Sequence, residues 1–146
     1  MRRVKTWVLI ADGGRARILE SENRASKLEN LPEMELLAAD VVEGPVESDR
    51  PGRVQESVGP TRHAIEPRTP HKRQREMDFA RHIARRLEET IERYDKLLIV
   101  AAPKTLGDLR ENLAPAVEQK VTATVSKDLT NTPDREIPEL LADVLK

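Results

Sequence analysis

Cations gather in one stretch of this chain. Between positions 50 and 75 stand Arg50, Arg53, Arg62, Arg68, Lys72, Arg73 and Arg75, opposed only by Glu56 and Glu66, with His63 and His71 interleaved. These seven cations and two carboxylates give a local net charge of +5 in a chain of net charge −1, so the remainder is acidic. Arginine chelates phosphate through two N–H groups and stacks on unpaired bases, and a basic segment on an acidic body suits a phosphate backbone. The same charges would equally keep a loop solvated without binding anything. No aromatic residue falls in the stretch, so the stacking used by single-strand readers is missing and sequence-specific binding is not expected. The candidate nucleic-acid contacts are Arg53, Arg62, His63, Arg68, His71, Lys72, Arg73 and Arg75.

Catalytic patterns are absent. The three histidines, His63, His71 and His82, have no H-E-x-x-H spacing and no cysteine partner, since the chain contains no Cys. There is no G-x-S-x-G for a serine hydrolase. Gly13-Gly14 lacks the lysine of a phosphate loop and leads into a strand. Asp12, Asp95 and Asp128 stand at expected strand ends, while Trp7-Val8-Leu9-Ile10 carries no acid, so a two-metal carboxylate cluster is not supported. No catalytic residue, metal site or cofactor is assigned.

These residues need elements to carry them. Val4–Ala11 reads as a buried strand, Asp12-Gly13-Gly14 as a tight hairpin turn of the kind that tolerates positive φ, and Arg15–Glu20 as the returning strand. In that second strand Ala16 and Ile18 share one face and Arg15 and Arg17 the other. A third strand is expected at about Met34 to Val42, although Glu35–Ala39 would also serve a helix. Glu43–Arg75 holds five of the ten prolines and three of the six glycines. It reads as one long, mobile basic loop without helix or central strand. Met77, Ala80, Ile83, Ala84, Leu87, Ile91 and Tyr94 then mark a helical stripe, with Arg85–Glu89 and Glu89–Arg93 as supporting pairs. Lys96–Ala102 reads as a central parallel strand beside the first. Thr105-Leu106-Gly107-Asp108 has the form of a capping box opening a helix to about Leu113. Val121–Val125 is a short strand, and Ile137, Leu140, Leu141, Val144 and Leu145 mark one face of a closing helix.

The order implies an α/β domain spanning 1–146: a five-stranded mixed sheet, three antiparallel strands then two parallel ones, with helices packed on it and the basic loop after the third strand. Only Trp7, Phe79 and Tyr94 are aromatic, so aliphatic residues fill the core. No apolar window is long enough for a membrane span. The apolar run Trp7–Ala11 is too short for a signal-peptide core, and with no cysteine a cytoplasmic location is expected.

Several segments together resemble the bacterial host attachment family. They are Thr6–Arg17, Asp49-Arg50-Pro51-Gly52-Arg53, Arg62–Pro67, Phe79-Ala80-Arg81, Leu98–Pro103 with Leu106–Arg110, and Lys127-Asp128-Leu129-Thr130. That family is similar to the central domain of archaeal and eukaryotic class I release factors and of Pelota. The resemblance implies a ribonuclease-H-like sheet and contact with the ribosome, tRNA or rRNA through the loop after the third strand. Release factors carry Gly-Gly-Gln there; here Gln55 and Gln74 follow no Gly-Gly pair. The expected function is a non-enzymatic, release-factor-like module that contacts ribosomal or transfer RNA. A protein-interaction module in attachment to host cells is the alternative, and a peptidyl-tRNA hydrolase the third reading.

Overall fold

The computed structural model describes residues 3–22, 27–41 and 68–145, with 68–70 by backbone alone. Strands β1 (Lys5–Ala11) and β2 (Arg15–Glu22) form the expected hairpin, paired antiparallel from Lys5↔Glu22 to Ala11↔Ala16. β1 pairs on its other side, in parallel, with β5 (Lys96–Ala101), and β5 in turn with β6 (Val121–Ser126). β3 (Glu29–Asn30) and β4 (Leu36–Leu37) both pair antiparallel with β2. The order β3-β2-β1-β5-β6, with β4 also on β2, is that of a ribonuclease-H-like mixed sheet.

The third strand differs from expectation. Two two-residue strands replace a continuous run over Met34–Val42, separated and followed by 3-10 turns at Pro32–Met34 and Ala38–Asp40. Pro32 has no N–H to offer a ladder and opens the first turn instead. That turn drives Met34 into the core at 1% exposure.

Helix α1 spans Arg68–Glu89. Its first two turns correct the reading of Glu43–Arg75 as one loop: residues 68–75 are helical, and 43–67 lie outside the described residues. Pro70 does not break the helix because it sits in the first turn, where backbone N–H groups have no intrahelical acceptor to lose. The stripe continues as expected and adds Phe79: Phe79, Ala80, Ile83 and Leu87 pack against the sheet, and Ala84 is buried beside them in the sequence. The expected i,i+4 pairs are replaced by Arg86–Glu89, one turn apart at 3.3 Å, and by Arg93 bound to Glu33 at 2.7 Å.

After β5, helix α2 spans Pro103–Asn112. Thr105 is not its cap. Pro103 opens the helix directly after Ala102, three residues early, and places Thr105 and Asp108 in buried positions. A single turn, α3 (Pro115–Glu118), precedes β6. The closing helix α4 is only Ile137–Leu140. Because the chain leaves helical geometry there, the expected stripe divides: Ile137 and Leu141 are buried, while Leu140 and Val144 stay exposed.

Two apolar layers sandwich the sheet. Trp7, Leu9, Ile18, Leu97 and Ile99 meet α1 and α2; Val8, Ile10, Leu19, Leu98 and Val100 meet Ile137 and Leu141. Burial on both faces explains why β1 and β5 are unbroken apolar runs. At the base of the sheet Trp7 stacks on Tyr94, centroids 4.7 Å apart, and donates its indole N–H to Glu20 at 2.8 Å. The Tyr94 hydroxyl donates to the Leu87 carbonyl at 2.7 Å, and burial pushes its pKa up to about 12. Lys5 and Asp95 close this end: the Lys5 amide donates to the Asp95 carboxylate and the Asp95 amide to the Lys5 carbonyl.

Leu9, at 1% exposure in the centre of the helix-side layer, tests this packing. Leu9→Ala should destabilise the domain by about 2–5 kcal/mol, the range for cavities in close-packed cores. Chemical denaturation of both proteins measures it.

Candidate functional site

The opposite end of the sheet, where β1, β5 and β6 finish, is open. The β1–β2 turn sits here, and its geometry comes from Asp12. The Asp12 carboxylate accepts the backbone N–H groups of Gly14 at 2.8 Å and Arg15 at 2.9 Å, while the Asp12 amide donates to the Arg15 carbonyl. Neither glycine occupies positive φ, contrary to the expectation for this turn. What requires Gly13 is proximity: a Cβ there would come within 2.9 Å of Glu76 Cγ on α1.

The N-terminal part of α1 therefore lies directly against the hairpin turn. At 1.5 Å rise per residue, residues 68–75 extend about 12 Å beyond Glu76. Arg73 pins this segment. Its guanidinium forms a two-pronged bond to Asp108 of α2, at 2.8 and 2.6 Å, and reaches Glu76 at 3.3 Å. The Asp108 bond, aided by Glu76, holds the Arg73 guanidinium more firmly protonated than usual. Asp108 itself is 7% exposed.

His71, Lys72 and Arg75 are exposed. Lys72 and Arg75 line an open groove of about 610 Å³ together with Arg15, Gly13, Glu76 and Leu37. Leu37 is half exposed, an apolar residue on a charged rim. A second cleft of about 450 Å³ adjoins it, with Ile10, Arg15, Arg17, Glu35, Asp40 and Thr130 in its wall.

Of the candidate contacts, then, His71, Lys72 and Arg75 face solvent at one place, and Arg73 is engaged by Asp108. Arg53, Arg62, His63 and the side chain of Arg68 lie outside the described residues. Two participants were missed in the sequence, Arg15 and Asp108. The alternation of β2 puts Arg15 on the face opposite Ala16, which was legible; its nearness to α1 was not.

The loop after β6 completes this end. The Thr130 hydroxyl lies 2.6 Å from Asp128 and 3.0 Å from Asp12, and the Thr130 amide also donates to Asp128. A hydroxyl has one proton, so it serves one carboxylate at a time, and the shorter contact is to Asp128. These two donors hold the Asp128 carboxyl below its usual range. Arg17 binds Asp134 and the carbonyls of Thr130 and Thr132, and Arg15 binds Asn131. Among the described residues no group of three or more His, Asp or Glu is placed to hold a metal ion. None of their helices is long and apolar enough to cross a membrane.

The model of the family described as "protein required for attachment to host cells" matches residues 7–141. The chain belongs to this host attachment family. The match runs from the first buried residue of β1 to Leu141, so it takes in both layers of the sandwich and the whole open end. No curated protein matches the chain.

Two measurements probe this geometry. Removing Arg73 strands a nearly buried carboxylate, whereas removing Asp108 releases a partly exposed guanidinium to water. Arg73→Ala should therefore lower Tm more than Asp108→Ala, and both should speed amide exchange at residues 71–77. Asp128, with its lowered folded-state pKa, contributes stability above the ordinary value of 3.8, and that contribution disappears as pH falls through the lower folded value. The Tm deficit of Asp128→Ala should accordingly be present at neutral pH and vanish in strong acid; a deficit unchanged with pH contradicts this role.

Proposed function

We propose that this member of the host attachment family is a non-catalytic contact module that binds ribosomal or transfer RNA through cations grouped at the open end of its sheet. One observation carries the reading. Lys72 and Arg75 are exposed on turns of α1 beside Arg15, and they end a sequence stretch of net charge +5 that also contains Arg50, Arg53, Arg62 and Arg68. Phosphate contacts need exposed, convergent cations and no special backbone geometry. The resemblance to the central domain of release factors and Pelota supports the same target. The lack of Gly-Gly-Gln favours contact over hydrolysis, and Gln74 instead donates to Asp78 on its own helix. In this reading the protein acts in the cytoplasm.

The second reading, a protein-docking module acting in attachment to host cells, is favoured by the family's description. Salt separates the two, because displacement of counterions from RNA makes affinity fall steeply with ionic strength.

Each contact to a single-stranded phosphate contributes about −0.7 to the slope of log affinity against log salt, so Lys72→Ala/Arg75→Ala should flatten that slope by about 1.4. Sedimentation with ribosomes from the source cells across a salt series measures it. Salt-independent association, or an unchanged slope in the well-folded variant, would move protein docking to first place.

A further inference from the structure

Between residues 71 and 76, α1 is held to the fold by polar contacts. Only Arg73 and Glu76 are partly buried there; His71, Lys72, Gln74 and Arg75 are exposed, and the apolar stripe starts at Met77. A hydrophobic face contributes nothing to these turns, and so short a length of helix is not stable in water by itself. Among the described residues three contacts take its place. Arg73 makes the two-pronged bond to Asp108, Arg73 also reaches Glu76, and Glu76 lies against Gly13 of the hairpin turn.

The place of Asp108 is set by the sheet. Pro103 opens α2 at the end of β5, and Leu106 and Leu109 anchor that helix in the core. Asp108 lies between them in the sequence, 7% exposed, and its carbonyl accepts from Asn112. Breaking the pair would strand this nearly buried charge, so the clamp is a fixed part of the fold. Arg73 is equally committed. Both of its terminal nitrogens face carboxylates, which repel an incoming phosphate.

Lys72 and Arg75 are three residues apart and so share one side of the helix, next to the inward side that Arg73 occupies. Fixing Arg73 therefore fixes the rotation of both exposed cations relative to Arg15, with which they line the groove. Resting on the RNA reading above, we infer that Asp108 is a positioning residue for RNA binding. Through Arg73 it holds Lys72 and Arg75 in the orientation in which they meet phosphates, without touching RNA itself. A site ordered in advance avoids the entropy of ordering these turns on binding. The effect then falls on affinity and leaves the number of phosphates contacted unchanged.

Asp108→Asn keeps the shape of the side chain and removes the charge that Arg73 grips. Arg73→Lys is milder: it keeps the cation and loses the two-pronged grip. Sedimentation of the full chain with ribosomes from the source cells, over a salt series, separates position from contact. Asp108→Asn should weaken binding by about tenfold at every salt concentration, and Arg73→Lys by a smaller factor, both with the wild-type slope. Lys72→Ala/Arg75→Ala flattens the slope instead. Adding Asp108→Asn to that pair should cost less than about twofold more, because the cations it orients are gone. Far-UV circular dichroism should match wild type in each variant. Wild-type binding that does not fall with salt overturns the RNA reading and this inference with it. Salt-steep wild-type binding that Asp108→Asn and Arg73→Lys both leave unchanged overturns this inference alone. So does a slope steeper by about 0.7 in Asp108→Asn, the mark of Arg73 as a withheld phosphate contact. An equal loss on Asp108→Asn with and without Lys72 and Arg75 does the same, since a general structural role would produce it.

Discussion

The parallel pairing of β1 with β5 sets the terms for the rest of the molecule. Both strands are covered on both faces, and from Trp7 to Ala11 and Leu97 to Ala101 every side chain is apolar and nearly inaccessible. An unpaired polar group there would cost more than any single contact elsewhere returns. Polar chemistry is thereby displaced to the ends of the strands. At the base, Asp95, Lys5 and Lys120 satisfy backbone groups: the Lys120 ammonium donates to the carbonyls of Ile91 and Tyr94 and lies 5.1 Å from the Tyr94 ring centre. At the other end the carboxylates and cations border open space.

Two close contacts decide where α1 lies over that space. Gly13 lets the helix approach the hairpin turn, and Arg73 fastens it to Asp108 of α2. Arg73 stands four and seven residues before Met77 and Ala80, so it continues the inward stripe of the helix past the edge of the sheet, where the neighbour is no longer a strand but α2. A charged residue can occupy an inward position there because its partner is supplied by another helix. Its neighbours Lys72 and Gln74 project to solvent on the same turn.

The central architecture was legible because burial on both faces leaves a strong mark: uninterrupted aliphatic runs for β1 and β5, and a 3.6-residue stripe for α1. The alternation in β2 also held, with Ala16 and Ile18 toward the helices and Arg17 on the opposite side reaching Asp134. Local signals failed where tertiary contacts outweighed them. Pro70 looked like a breaker but occupies a first turn, and Thr105 looked like a cap but is buried one turn into α2. The run from Met34 onward looked like a strand, yet Pro32 had already committed it to turns. The partner of Arg73 is 35 residues away in the chain, and no spacing rule connects them.

The same limits apply to the cover of the second face, which rests on a four-residue helix too short to be stable alone. It is held from both sides. Ile137 and Leu141 bury themselves on Val8, Ile10, Leu98 and Val100, and Arg17 takes Asp134 and the carbonyls of Thr130 and Thr132. Thr130 is the junction: its carbonyl accepts from Arg17, its hydroxyl lies between Asp12 and Asp128, and Asp12 in turn shapes the hairpin turn that carries Arg15. The position of Arg15 at the open end and the attachment of the C-terminal segment to the sheet thus belong to one hydrogen-bonded unit. A contact made at Arg15 acts on a residue whose backbone and neighbours also anchor the second layer of the core, which gives the open end a rigid support although its groove faces water.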